Sequence, residues 1–244
     1  MQAVWGEDDV NRLHRHAQGR NERATRLQIR VHLPDQRHQR SIRVPTPTSL
    51  VQPDAHLTPL ARLALHTVTG VPTQLLDAVR VKPASGNWLH APWYGYHRGG
   101  AITVGRIIWF TRKWFKAAGY GDGTSLATWN WLQHLAHEVG HLPQAERFGQ
   151  GPLGKSRYVL TFAWQYGCRA MRMKRDVHDG APMEIEADRG RWVLVKLLGE
   201  NPVDHPFVRA LHNADATAVR EQCEALTGRV AELTLEYARR SSAQ

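Results

Sequence analysis

The sequence predicts an α+β fold, mainly helical, with a small β-sheet next to the helix that carries residues 137–141. Three observations predict it. Residues 101–111, AITVGRIIWFT, form a β-branched and aromatic run of the kind that strands favour. Residues 124–142 place Leu126, Trp129, Leu132, Leu135, Val139 and Leu142 on one face at helical period. Further helical patterns follow toward the C-terminus. The chain has 244 residues, 42% of them hydrophobic, enough to bury a sizeable core.

Taken in order, residues 1–55 are rich in Arg, Gln and His and read as a basic, partly mobile arm, with the main domain at 56–244. Within the arm, Ile29, Val31, Leu33, Ile42 and Val44 alternate with polar neighbours as in a hairpin, and Pro45, Pro47 and Pro53 mark a linker. Residues 57–69 predict a helix with Thr58 as N-cap and Pro59 at its first position. Val79 and Val81 suggest a short strand, and residues 86–100 a Trp- and Tyr-rich loop. The run 101–111 is read as a single strand, and 112–123 as a connector. The helix opened by Thr124 must end or kink at Pro143, because proline lacks the N–H donor and crowds the preceding turn. Helices are also expected over 155–175, from Pro182 to about Leu198 with Gly199 as its stop, and over 214–239 with Val219, Cys223, Leu226, Val230, Leu233 and Tyr237 on one face.

The formal net charge of +10 favours anionic partners. No helix-turn-helix, RNA-binding or zinc-finger pattern accompanies it, so nucleic acid is not the expected partner. The two cysteines, Cys168 and Cys223, make no CxxC pair, which argues against thiolate metal sites. No run of 18 apolar residues predicts a membrane span. The first residues lack a basic stretch followed by an apolar core, so the chain is expected in the cytoplasm as synthesised, with export by a signal-peptide-independent secretion system left open.

The chemistry concentrates in His137-Glu138-Val139-Gly140-His141. Histidines four apart on a helix share a face and can converge on one metal ion. Glu138 beside them can take a proton from metal-bound water and pass it to a leaving amine. A hydrolytic zinc needs a third protein ligand and an open position. An extended HExxHxxGxxH pattern fails, because Gln144 and Arg147 occupy the Gly and final His positions. A carboxylate from a later helix remains. Glu184 and Asp188 are four apart on one face, so Glu184 can ligate while Asp188 accepts the other N–H of a ligand histidine. Glu186 points about 200° away from Glu184.

HExxH followed by ExEAD resembles the gluzincin metallopeptidases with an ExxxD motif, such as the HtpX-like and CAAX-prenyl proteases. A nearer likeness is to soluble bacterial HExxH domains found with contractile injection and type VI secretion systems. That likeness includes Val79-Arg80-Val81, the Trp88 to Trp93 loop, Ile107 to Phe110 and the helix from Thr124, and spans roughly residues 75–195. The resemblance implies a zincin-like domain with one Zn2+ per chain on His137, His141 and Glu184, Asp188 behind a ligand, and Glu138 as catalytic base. The expected function is hydrolysis of peptide bonds in a protein or in peptidoglycan, through a zinc-bound water. The alternative is a non-catalytic zinc-containing structural or binding component of a secretion-associated system, with the apparatus as partner.

Candidate oxyanion donors are Tyr158, Tyr166 and His178. His134 is a candidate cleft residue, and Trp88, Trp93, Tyr94 and Tyr96 a candidate substrate rim. The basic run Arg169, Arg172, Lys174 and Arg175 reads first as a solvated face, otherwise as a contact for an anionic surface.

Overall fold

The structure is a computed structural model that describes residues 50–84, 100–110, 124–172, 177 and 180–242. The expected hairpin at 25–44, the Trp- and Tyr-rich loop, the connector, His178, Lys174 and Arg175 lie outside the described residues. Eight helices and three strands are described. They are α1 Pro59–Thr69, α2 Thr73–Asp77, β1 Arg80–Pro83, β2 Ala101–Val104, β3 Ile107–Phe110, α3 Ser125–Glu138, α4 His141–Phe148, α5 Pro152–Met171, α6 Pro182–Leu198, α7 Pro206–His212 and α8 Ala216–Ser241. The fold is mainly helical with one small sheet, consistent with the predicted α+β class.

Helix starts follow local chemistry. Thr58 and Thr124 accept hydrogen bonds from the N–H groups of Ala61 and Ala127. Pro59, Pro152, Pro182 and Pro206 occupy first-turn positions, where the missing donor costs nothing. Gly70 ends α1 in the left-handed conformation, with φ of 71°.

The run at 101–111 is two strands, not one. Val104 and Ile107 flank a two-residue turn, with Gly105 at φ of 61°. A glycine inside a strand-like run signals this reversal. The sheet order is β1-β3-β2, with β1 parallel and β2 antiparallel to the central β3. Leu50 and Val51, assigned by composition to the arm, are buried in the main core, and Val51 bridges to Leu57. Sequence periodicity also passed over α2 and α7, which are too short to show a repeating face.

Helix α6 is the hub, packing on α1, α3, α4 and α8. The core joins Leu65 and Val68 of α1, Ile108 and Phe110 of β3, Trp129 to Leu135 of α3, Phe207 and Leu211 of α7, and Val219 and Cys223 of α8. The rings of Phe110 and Trp131 lie 4.3 Å apart between sheet and helix.

The crossing of α6 over the α3–α4 junction is a backbone contact. A Cβ at Gly140 would sit 2.3 Å from the Ala187 carbonyl oxygen. One turn along α6, a Cβ at Gly190 would sit 2.4 Å from the Thr69 methyl and 3.0 Å from the Ala136 carbonyl oxygen. Gly140→Ala is therefore expected to lower stability by about 1–3 kcal/mol or more, because the clash is with backbone that cannot rotate away. Gly228→Ala, exposed in α8 with open space around its Cβ, is expected to raise stability by about 0.5–1 kcal/mol. Urea denaturation of both variants reads the contrast.

Candidate metal centre

Pro143 shapes the centre. It has no N–H to give to the Val139 carbonyl, which instead accepts from Leu142 at 3.0 Å. Gly140 N–H likewise bonds His137 O at 2.9 Å. The helix tightens over these two residues, so α3 ends at Glu138 and α4 begins at His141. His137 and His141 still share a face. Their rings lie 5.1 Å apart and nearly perpendicular.

Glu184 arrives from the first turn of α6. Its Oε2 lies 3.2 Å from His137 Nε2 and 3.5 Å from His141 Nε2. All three donor atoms fall within 4.8 Å of one another, and all three residues are buried. A tetrahedral ion with bonds of about 2.0–2.1 Å sets its donors about 3.3 Å apart. The two Glu184 separations fit that geometry, and two imidazoles with a carboxylate suit a first-row divalent metal. His137, His141 and Glu184 can therefore hold a metal ion. Burial also separates Glu184 from an ordinary acidic first turn, which would face water.

The other nitrogen of each imidazole is held. His137 Nδ1 lies 3.1 Å from Asp188 Oδ1, and Asp188 also pairs with Arg191 at 2.5 Å. His141 Nδ1 donates to Gln144 Oε1 at 2.9 Å. The Gln144 orientation is fixed because its amide donates to Met183 O at 2.8 Å and to Glu186 at 3.1 Å. Each contact keeps the proton on Nδ1 and leaves Nε2 for a metal. Glu186 faces away from the triad, as its helical position requires, and pairs with Arg147. Gln144 and Arg147, which stand where a longer motif would carry Gly and His, serve this tether instead.

Two further side chains position the site. Thr103 of β2 donates to Glu138 Oε2 at 2.7 Å, with the Glu138 carbonyl 3.1 Å away. Gln165 of α5 accepts from Met183 N–H at 3.2 Å, so Met183, next to Glu184, is held on both sides of its backbone. The Tyr166 hydroxyl bonds Glu184 Oε1, opposite the oxygen that faces the histidines. Tyr158 lies in an aromatic cluster with Phe148 and Phe162, and Phe162 meets His141 edge-on at 5.4 Å. His134 turns to the Asn130 carbonyl at 2.8 Å, and burial holds its pKa down at about 4. Thr103, Gln144 and Gln165 were missed in the sequence. Gln144 alone left a signal, three residues after His141 on the same helical face.

Comparisons with protein-family models, with curated proteins and with solved structures return no match. Among the described residues, no helix is long and apolar enough to cross a membrane.

Without a metal, burial pushes the His137 imidazolium toward losing its proton. The acceptors Asp188 and Glu184 and the charges of Glu138 and Glu184 outweigh that and raise its pKa to about 9. That raised value means the proton stabilises the metal-free fold below about 6.5, and the contribution fades as pH rises through about 9. A metal on Nε2 must displace the same proton. Binding is therefore expected to release about one proton per ion at neutral pH, and apparent affinity to climb with pH until about 9. Calorimetry in buffers of different ionisation enthalpy counts the proton. Gln144→Leu is expected to weaken the metal about 10- to 100-fold while Arg147→Ala changes it little, as read by competition with a chromophoric chelator.

Proposed function

We propose that the chain is a zinc-dependent metallopeptidase. The observation that carries the reading is a buried three-donor cluster whose atoms lie within 4.8 Å of one another and, beside it, a buried glutamate clamped by a strand hydroxyl. A buried carboxylate next to a metal-binding triad suits proton transfer better than structural packing. Zinc at this cluster would lower the pKa of its water to near 7 and polarise a carbonyl. Glu138 takes the proton from the attacking water, then delivers it to the leaving amine. Thr103 holds the carboxylate for both steps. Tyr166 is our candidate to donate to the developing oxyanion, a role that needs its hydroxyl to leave Glu184 Oε1, to which it is bonded. The gluzincin-type assignment rests on His137, Glu138, His141, Glu184 and Asp188 in their motif positions.

The substrate is an extended peptide, in a protein or in a peptidoglycan cross-link. Strand β2 packs against both α3 and α4. Its side away from β3 has no strand partner among the described residues, and a peptide adding there would run past the triad. The deep burial of all four site residues also favours a second reading, a zinc-stabilised binding component attached to a secretion apparatus. One variant separates the two. Wild type is expected to hold about one zinc per chain and His137→Ala none. Glu138→Gln is expected to keep the metal and cut peptide cleavage about 100- to 10,000-fold. Zinc without cleavage in the wild type would leave the binding reading standing, and cleavage undiminished in Glu138→Gln would end the peptidase reading.

A further inference from the structure

The helix that carries Glu184 has no cap of its own. Helices α1, α3, α7 and α8 each follow a residue whose side chain accepts from the first turn, namely Thr58, Thr124, His205 and Asp215. Helix α6 follows Ala181, which has no polar side chain, and opens with Pro182. Its first bond to a carbonyl one turn back runs from Ile185 N–H to Ala181 O, at 2.9 Å. Met183 N–H comes before that bond, so no carbonyl within the helix can take it. Ala181, Met183 and Glu184 are 0%, 7% and 4% exposed. An orphaned donor in so dry a helix start would cost about as much as a lost hydrogen bond.

The acceptor comes from another helix. Gln165 Oε1 accepts from Met183 N–H at 3.2 Å. Helix α5 packs on α4 and reaches the start of α6 through the side chains of Gln165 and Tyr166. Of the two ends of an amide only the oxygen accepts, so the orientation of Gln165 is settled by its partner. A role that other helices of this fold fill from their own N-cap is filled here in trans.

The place of Glu184 ties this cap to the metal. With Ala181 as N-cap, Glu184 holds the third position of α6. A glutamate there has a local alternative, because its carboxylate can turn back and accept from the N–H groups of its own helix start. Turned back, it would not face His137 and His141. In the structure Oε2 lies 3.2 and 3.5 Å from their Nε2 atoms. We infer that Gln165 is a positioning residue for the metal, capping α6 from α5 so that the Glu184 carboxylate stays turned toward the two histidines. The inference rests on the metal-site reading above. A neutral amide does this without setting a third carboxylate beside Glu138 and Glu184.

Zinc affinity of the full chain, read by competition with a chromophoric chelator, tests the cap. Gln165 is half-buried, and Gln165→Leu and Gln165→Ala are expected to keep the wild-type circular dichroism while weakening zinc about 10-fold. Loaded with Co2+ instead, both variants are expected to lose the wild-type d–d absorption pattern as the carboxylate turns away. Gln165→Glu keeps an acceptor of the same reach and is expected to restore affinity and spectrum together, whereas added charge alone would leave the spectrum altered. Asp215→Ala is the control. It removes the cap of α8 at about 33 Å along that helix from Tyr237, which touches α6 at Ile185. It is expected to lower stability to urea and leave zinc affinity and spectrum as in wild type. Equal weakening of zinc by Asp215→Ala overturns the positioning role, as does a Gln165→Glu chain that recovers neither readout. Zinc held equally by wild type, Gln165→Leu and Gln165→Ala ends the role of Gln165 alone, whereas a wild type that binds no zinc ends the metal reading itself.

Discussion

The candidate metal centre depends on how closely two helices can approach. Its donors come from the α3–α4 junction and from the first turn of α6. A carboxylate side chain is short, so Glu184 reaches the two histidines only if the helix axes come closer than ordinary side chains allow. Gly140 against the Ala187 backbone, with Gly190 beside Ala136 and Thr69, removes the intervening Cβ atoms. Small residues here are a condition of the chemistry, and the large core residues around them hold the crossing shut.

That closeness has an electrostatic cost. Two imidazoles, Glu184 and Glu138 are all withdrawn from water, and buried polar groups are tolerated only when paired. The fold answers with contacts that run outward from the triad. Asp188 leads to Arg191, and Gln144 leads through Glu186 to Arg147. Each chain ends in a surface arginine, so neutralising charge is supplied at the rim while the interior groups stay oriented.

Much of this was legible in the residues. HExxH and ExEAD name the triad together with Glu138 and Asp188, because helical periodicity alone decides which side chains share a face. Caps at Thr58 and Thr124 and the stop at Gly199 were readable for the same reason, since they depend on neighbours in sequence. What escaped depends on partners far along the chain. Thr103 reaches Glu138 across 35 residues and Gln144 reaches Met183 across 39. The turn at Gly105 was hidden by apolar residues on both sides, although the glycine itself marked it. Burial of Leu50 and Val51 shows that composition is a poor guide to where a core begins.

Thr103 carries one proton and faces two acceptors on the same residue, the carboxylate and the main-chain carbonyl of Glu138. It can satisfy only one of them well at a time. The stronger contact is to the carboxylate, at 2.7 Å against 3.1 Å for the carbonyl. Thr103 stands on β2, so side chain and main chain of Glu138 are both anchored to a strand rather than to the helix that bears them.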